Sequence, residues 1–146
     1  MRMSISIALA VLVGFAAAGG SVAFWARSLA LPVDRYHVSG PSKPSGDHPF
    51  TGGFHAVRDI DADPGAFDRL VEVADAAPRT ERLAGSPGAG HVSFVTRSRV
   101  FGFPDITNIW RDGDLLQIRG HLVVGKSDMG VNERRIRGWL DAAGIG

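Results

Sequence analysis

Between His91 and Val124, three strand-like runs are joined by turns of only a few residues. HVSFVTRSRVF meets ITNIW through Gly102–Asp105. ITNIW meets LLQIRGHLVV through Arg111-Asp112-Gly113-Asp114, whose Asp-Gly pair is a strong hairpin signal. A parallel crossover needs about a dozen residues or more, so these strands are antiparallel. Side chains alternate along each run. Val92, Phe94, Thr96, Ser98 and Val100 fall on one face of the first, with Val95, Arg97, Arg99 and Phe101 on the other. In the last, Leu116, Ile118, Leu122 and Val124 oppose Gln117, Arg119 and His121.

Upstream, FHAVRDI from Phe54 reads as a short strand. Asp63-Pro64 then has the form of an N-cap followed by proline at the first helical position. Phe67, Leu70, Val71 and Ala74 recur at helical spacing, and Pro78 ends the run. Residues 79–84 suit a short strand, and 84–90 a flexible turn. A last helix is expected from Val131 to Ala143, with Ile136, Trp139, Leu140 and Ala143 on its apolar face. Two amphipathic helices on one face of an antiparallel sheet give an α+β two-layer sandwich, in the order β-α-β-β-β-β-α. The other face then presents Arg97, Arg99, Arg119 and His121 outward.

The chain's first 27 residues are of a different kind. From Ile5 to Ala26 there is no charged residue. As a helix these positions reach about 33 Å, close to the thickness of a bilayer core. Trp25 sits where an interfacial aromatic belongs, and Arg27 closes the run. Ala16-Ala17-Ala18 also fits a signal-peptidase site, so cleavage is the rival reading. Apolar character continuing through Val22, Ala23, Phe24 and Trp25 favours an uncleaved anchor. The short tail before it is the layout of a signal-anchor with an exported domain, on the periplasmic side. The basic residues Arg27, Arg35 and Lys43 argue the other way, for the cytoplasmic face. Residues 28–53, rich in Gly, Pro and Ser in their second half, read as a linker with little to bury. The folded domain is expected over 54–146.

A net charge of +1 argues against a general nucleic-acid binder. The absence of cysteine excludes disulfides and thiolate zinc sites. The five histidines show no metal-ligand spacing, so no metal or other cofactor is expected. Gly120–Ser127, GHLVVGKS, matches the phosphate-loop pattern literally. Its intervening residues continue a strand, and Asp128 would sit beside the phosphates, so a nucleotide site is not expected.

The candidate ligand-binding set is Arg97, Arg99, Arg119, Lys126, Ser127, Asp128 and Asp105. Arginine forks bind phosphate or carboxylate groups in pairs of bonds, so this set suits an anionic ligand or a protein partner. Solvated arginines paired with Asp105, Asp112, Asp114 and Asp128 are the plain structural alternative. A small hydrolase using Asp105 or Asp128 as base is a second reading, and a lipid-binding grip around the last helix a third. No catalytic residue is assigned. Asn132 is expected to cap its helix or tie the 125–130 loop to the sheet, and Gly125 and Gly130 to supply positive φ.

Arg97-Ser98-Arg99, Gly102-Phe103 with Asp105, Gly125-Lys126-Ser127-Asp128, Gly130-Val131-Asn132 and Arg135 together resemble the signature of the domain-of-unknown-function 1499 family. Ala77-Pro78-Arg79-Thr80 fits it as well, and the resemblance spans roughly residues 54–143. It implies a membrane-anchored or exported protein and carries no activity. Many members have a Pro-Asn-Cys-Val-Ser segment before the first strand. Here that region reads GDHPFTGGFHAV, so no role of that segment transfers.

Overall fold

The computed structural model describes residues 2–146. Helix α1 (Arg2–Ser28) is followed by one helical turn, α2 (Val33–Tyr36), and then by strands β1 (Gly46–Phe50) and β2 (Gly53–Asp59). Helix α3 (Ala66–Asp75), strands β3 (Thr80–Ser86), β4 (His91–Arg97), β5 (Pro104–Asp112) and β6 (Leu115–Leu122), and helix α4 (Val131–Ala142) complete the chain. All six strands join one antiparallel sheet, ordered β1-β2-β6-β5-β4-β3. The α+β reading holds, and β1 is the strand it lacked. Gly46–Phe50 lies in the stretch read as a linker, where its Gly and Pro suit an edge strand.

The helices cover one face. Phe67, Leu70, Val71 and Ala74 of α3 and Ile136, Trp139 and Leu140 of α4 pack on Phe54, Ala56, Val92, Phe94, Ile109, Leu116 and Ile118 of the sheet. Each large side chain buried there contributes about 1.5–3 kcal/mol of transfer free energy. This space is filled by side chains, where a grip domain needs an apolar cavity. Helix α3 starts two residues later than its Asp-Pro signal suggested. The Asp63 carboxylate is bonded to Arg69, and Ala66 N–H donates to the Asp63 carbonyl.

The opposite face is not open, which corrects the expectation that it presents its polar residues outward. Residues 29–45 run across it as a strap. Tyr36 is buried with Val95 and Ile106, flanked by Leu31, Leu83 and Val123. The Asn108 amide donates to the Tyr36 carbonyl at 3.0 Å. Ser42 and Gln117 both bond the Asp112 carboxylate. Gly40 is needed here, because a Cβ would lie 2.7 Å from Arg119 Cδ and 3.1 Å from the Trp110 ring. Extended segments bury few side chains, so a strap of this kind leaves almost no periodic signal.

Over Ile5–Ser28, α1 is long and apolar enough to cross a membrane, and its most apolar stretch is not buried in the protein. Ala26 alone in this helix is fully buried among the described residues.

Candidate functional site

Strand β4 ends at Arg97, paired with Pro104 of β5. The chain then turns at Ser98, whose hydroxyl accepts from Phe103 N–H at 2.9 Å. Its carbonyl accepts from Gly102 N–H at 3.1 Å. Gly102 has φ +78°, and a Cβ there would lie 2.8 Å from Arg27 Cγ, so glycine serves both backbone and packing. Alternation therefore stops at Arg97, and Arg99 sits exposed in the turn. The expected sharing of a strand face by Arg97 and Arg99 is corrected accordingly.

Arg97 is half-buried and donates to the carbonyls of Ala26 and Gly102 at 3.2 and 3.1 Å. A cation on the last carbonyls of a helix is favourable, so Arg97 ties the end of α1 to this turn. Arg99 has no hydrogen bond or ion pair with any described residue. Beside it, Arg79 adopts the left-handed conformation at φ 57°, uncommon for a residue other than glycine. Two reciprocal bonds hold it: Arg97 N–H donates to the Arg79 carbonyl, and Arg79 Nε donates to the Arg97 carbonyl. Arg79, Arg97, Arg99 and Arg135 line a cleft of about 390 Å³, with Thr80, Thr96 and Asp105.

The carboxylates here are already engaged. Asp105 pairs with Arg135 at 2.9 Å. Burial raises its carboxyl above the ordinary range although Arg135 opposes the rise. Arg135 also donates to Asn132 Oδ1 at 2.9 Å. Asn132 is fully buried, and both its amide and its backbone N–H donate to Asp128 Oδ2 at 2.9 Å. Gly130 N–H donates to the other Asp128 oxygen. Burial opposes ionisation of Asp128, but these donors outweigh it and hold its carboxyl below the usual value. Asp128 therefore caps the start of α4, and Asn132 links that cap to Arg135 and Asp105. Gly120 leaves the room, since a Cβ would lie 2.7 Å from Asn132 Oδ1. Gly125 and Gly130 have positive φ, at 110° and 72°.

The remaining predicted residues are dispersed. Lys126 is exposed on the 123–130 loop, and Ser127 Oγ accepts from Met129 N–H at 3.3 Å. Arg119 lies over the Phe50 ring, 4.4 Å from its centroid. It lines a separate hollow with Pro41, Lys43, His48 and His55, away from Arg97 and Arg99. Another hollow, about 570 Å³, lies between α3 and the 87–90 turn and contains none of the predicted residues.

The five histidines, unremarkable by spacing, converge on the strap side of the sheet. His37 stacks on His91 at 4.0 Å, His55 lies 6.0 Å from His48, and His121 stacks on Tyr36. Among the described residues they form no metal-binding cluster of three ligating groups. Their bonds are structural: His91 Nε2 to Asn108 Oδ1 at 3.0 Å, and His55 Nε2 to Gln117 Oε1 at 2.8 Å. The Ser93 hydroxyl donates to Asn108 and accepts from His37, the reverse of the polarity a serine nucleophile needs.

Sequence reasoning missed Arg79 and Arg27 as site residues. Arg79 stood inside Ala77-Pro78-Arg79-Thr80, but nothing local announces a left-handed arginine. Arg27 looked only like the end of the apolar run.

The fold and site define a small α+β domain behind an apolar N-terminal helix, with a charged network joining the sheet end to the last helix. A family model described as protein of unknown function (DUF1499) matches residues 49–142, and the chain belongs to that family. No functionally curated protein matches the chain.

Proposed function

We propose that this is a membrane-anchored envelope domain that binds an anionic group, or an acidic patch on a protein partner, in the Arg79/Arg97/Arg99/Arg135 cleft. The apolar helix α1 would hold it in the membrane, with the domain exported. The observation that carries the reading is Arg99, exposed and without a partner among the described residues, beside Arg79 and Arg97 in a cleft whose one carboxylate, Asp105, is already paired. Positive charge is in excess there, and guanidinium forks match phosphate and carboxylate oxygens. Titrating inorganic phosphate or pyrophosphate into the full chain in zwitterionic micelles tests it. Guanidinium resonances of Arg79, Arg97 and Arg99 are expected to shift saturably, and the Arg97 shift to vanish in Arg79→Ala/Arg99→Ala. No saturable shift, or one centred on Arg119, refutes the reading.

A hydrolytic reading keeps one support, the raised Asp105 carboxyl in this cleft. Asp128 drops out as a base because three N–H donors occupy its oxygens and lower its basicity. Turnover of an ester or phosphoester panel, abolished by Asp105→Asn without loss of folding, would establish catalysis over simple binding.

A further inference from the structure

The arginine cleft and the end of the apolar helix are one assembly. Arg27, in the last turn of α1, donates to the carbonyls of Phe101 at 3.0 Å and Val100 at 3.3 Å. Arg97 returns a bond to Ala26, and the Trp25 ring meets Phe103 edge-on at 6.2 Å. A second hollow of about 260 Å³ adjoins the cleft, lined by Arg27 and one carboxylate, Glu81, and sharing Arg79, Arg97, Ser98 and Arg99 with it. The cation that ends the apolar run therefore lines the same mainly basic depression as Arg99.

The turn's own surface suits that position. Val100 is 70% exposed and Phe101 38%, while Met129, on the 123–130 loop beyond β6, is 82% exposed. In solution such tips are costly. At a bilayer surface they enter the interfacial layer, as do aromatic residues flanking membrane spans. Helix α1 projects from the domain at this turn, with its preceding residues largely exposed. If Trp25–Arg27 marks the bilayer boundary, Val100 and Phe101, bonded to Arg27, lie at the same depth.

We infer that the 98–103 turn inserts Val100 and Phe101 into the interface of the bilayer spanned by α1, and that the arginine cleft grips the phosphate of an anionic phospholipid in that leaflet. This rests on the anion-binding reading above and supplies its ligand. Tethering by α1 keeps lipid phosphates at high effective concentration, so a modest intrinsic affinity suffices.

The test uses the full chain in nanodiscs of phosphatidylcholine alone or mixed equally with phosphatidylglycerol. The chain has no cysteine, so Val100→Cys and, at the far hairpin, Asp114→Cys each give a unique fluorophore site. Nitroxide lipids labelled near the headgroup are expected to quench the Val100 label and spare the Asp114 label. Native mass spectrometry is expected to find phosphatidylglycerol retained over phosphatidylcholine by tenfold or more, a preference lost in Arg79→Ala/Arg99→Ala. An unquenched Val100 label overturns the seating of the turn. Quenching without lipid preference overturns the headgroup assignment. If lipid preference fails while phosphate still shifts Arg79 and Arg99 in micelles, only this inference falls. If phosphate fails too, the anion-binding reading falls with it.

Discussion

Acidification probes the strapped face of the sheet through one residue, His55. It is 2% exposed, its Nε2–H is bonded to Gln117 at 2.8 Å, and its ring lies 5.4 Å from Trp110. Burial lowers its pKa from 6.5 to about 4. The Gln117 bond works against this, while positive Arg119, His48 and Lys43 add to it. Above about pH 6.5, folded and unfolded chains both hold His55 neutral, and it does not affect stability. As pH falls toward 4 the unfolded chain takes up a proton that the folded chain refuses. Stability is lost at up to about 1.4 kcal/mol per pH unit, about 3 kcal/mol in all. His91 and His121, also lowered by burial, act in the same direction; Asp105, raised by burial, acts in the opposite one. The comparison that isolates His55 is urea unfolding of the full chain in micelles, followed by tryptophan emission, for wild type and His55→Gln across this range. The wild type is expected to show the steeper acid slope by roughly the figure above. Equal slopes, or an imidazole titrating near 6.5 by NMR, would show that the strap does not seal the face.

The two turn arginines are expected to separate in stability. Arg97→Ala removes two bonds to the ends of α1 and the turn and should cost about 1–3 kcal/mol, whereas Arg99→Ala should stay within about 0.5 kcal/mol in urea melts. Gly120→Ala forces a methyl against Asn132, which Asp128 and Arg135 hold in place. A loss of about 1–3 kcal/mol is expected, with broadened amide resonances at the start of α4.

The hairpins after His91 and the two amphipathic helices were legible because their signals are local, whereas the β1–β2 hairpin lay in the stretch read as linker. Asp112-Gly113 turns β5 into β6 with Gly113 at φ 61°, and the apolar spacing of Phe67–Ala74 and Ile136–Leu140 names the buried faces. The site was legible in its parts and not in its assembly. Arg97 and Arg99 alternate correctly on paper, but Ser98 and Gly102 close a turn that separates them. Arg119 shares Arg97's sheet face, yet the strap and Phe50 cover it. Tyr36 and Gly40 carry that strap from a segment whose composition reads as spacer. Arg79 reaches the cleft only through a backbone state that long-range pairing with Arg97 maintains.

The arginine cleft, as proposed, lies at the bilayer surface and holds an anion there. The most direct test is phosphorus-detected contact between lipid headgroups and arginine side chains of the full chain in bilayers containing phosphatidylglycerol. Cross-peaks from lipid phosphorus to the Arg79 and Arg99 guanidinium groups, with none to Arg119, are the predicted result. Phosphorus contacts confined to Arg119 and Lys43, or no arginine contact, would contradict it.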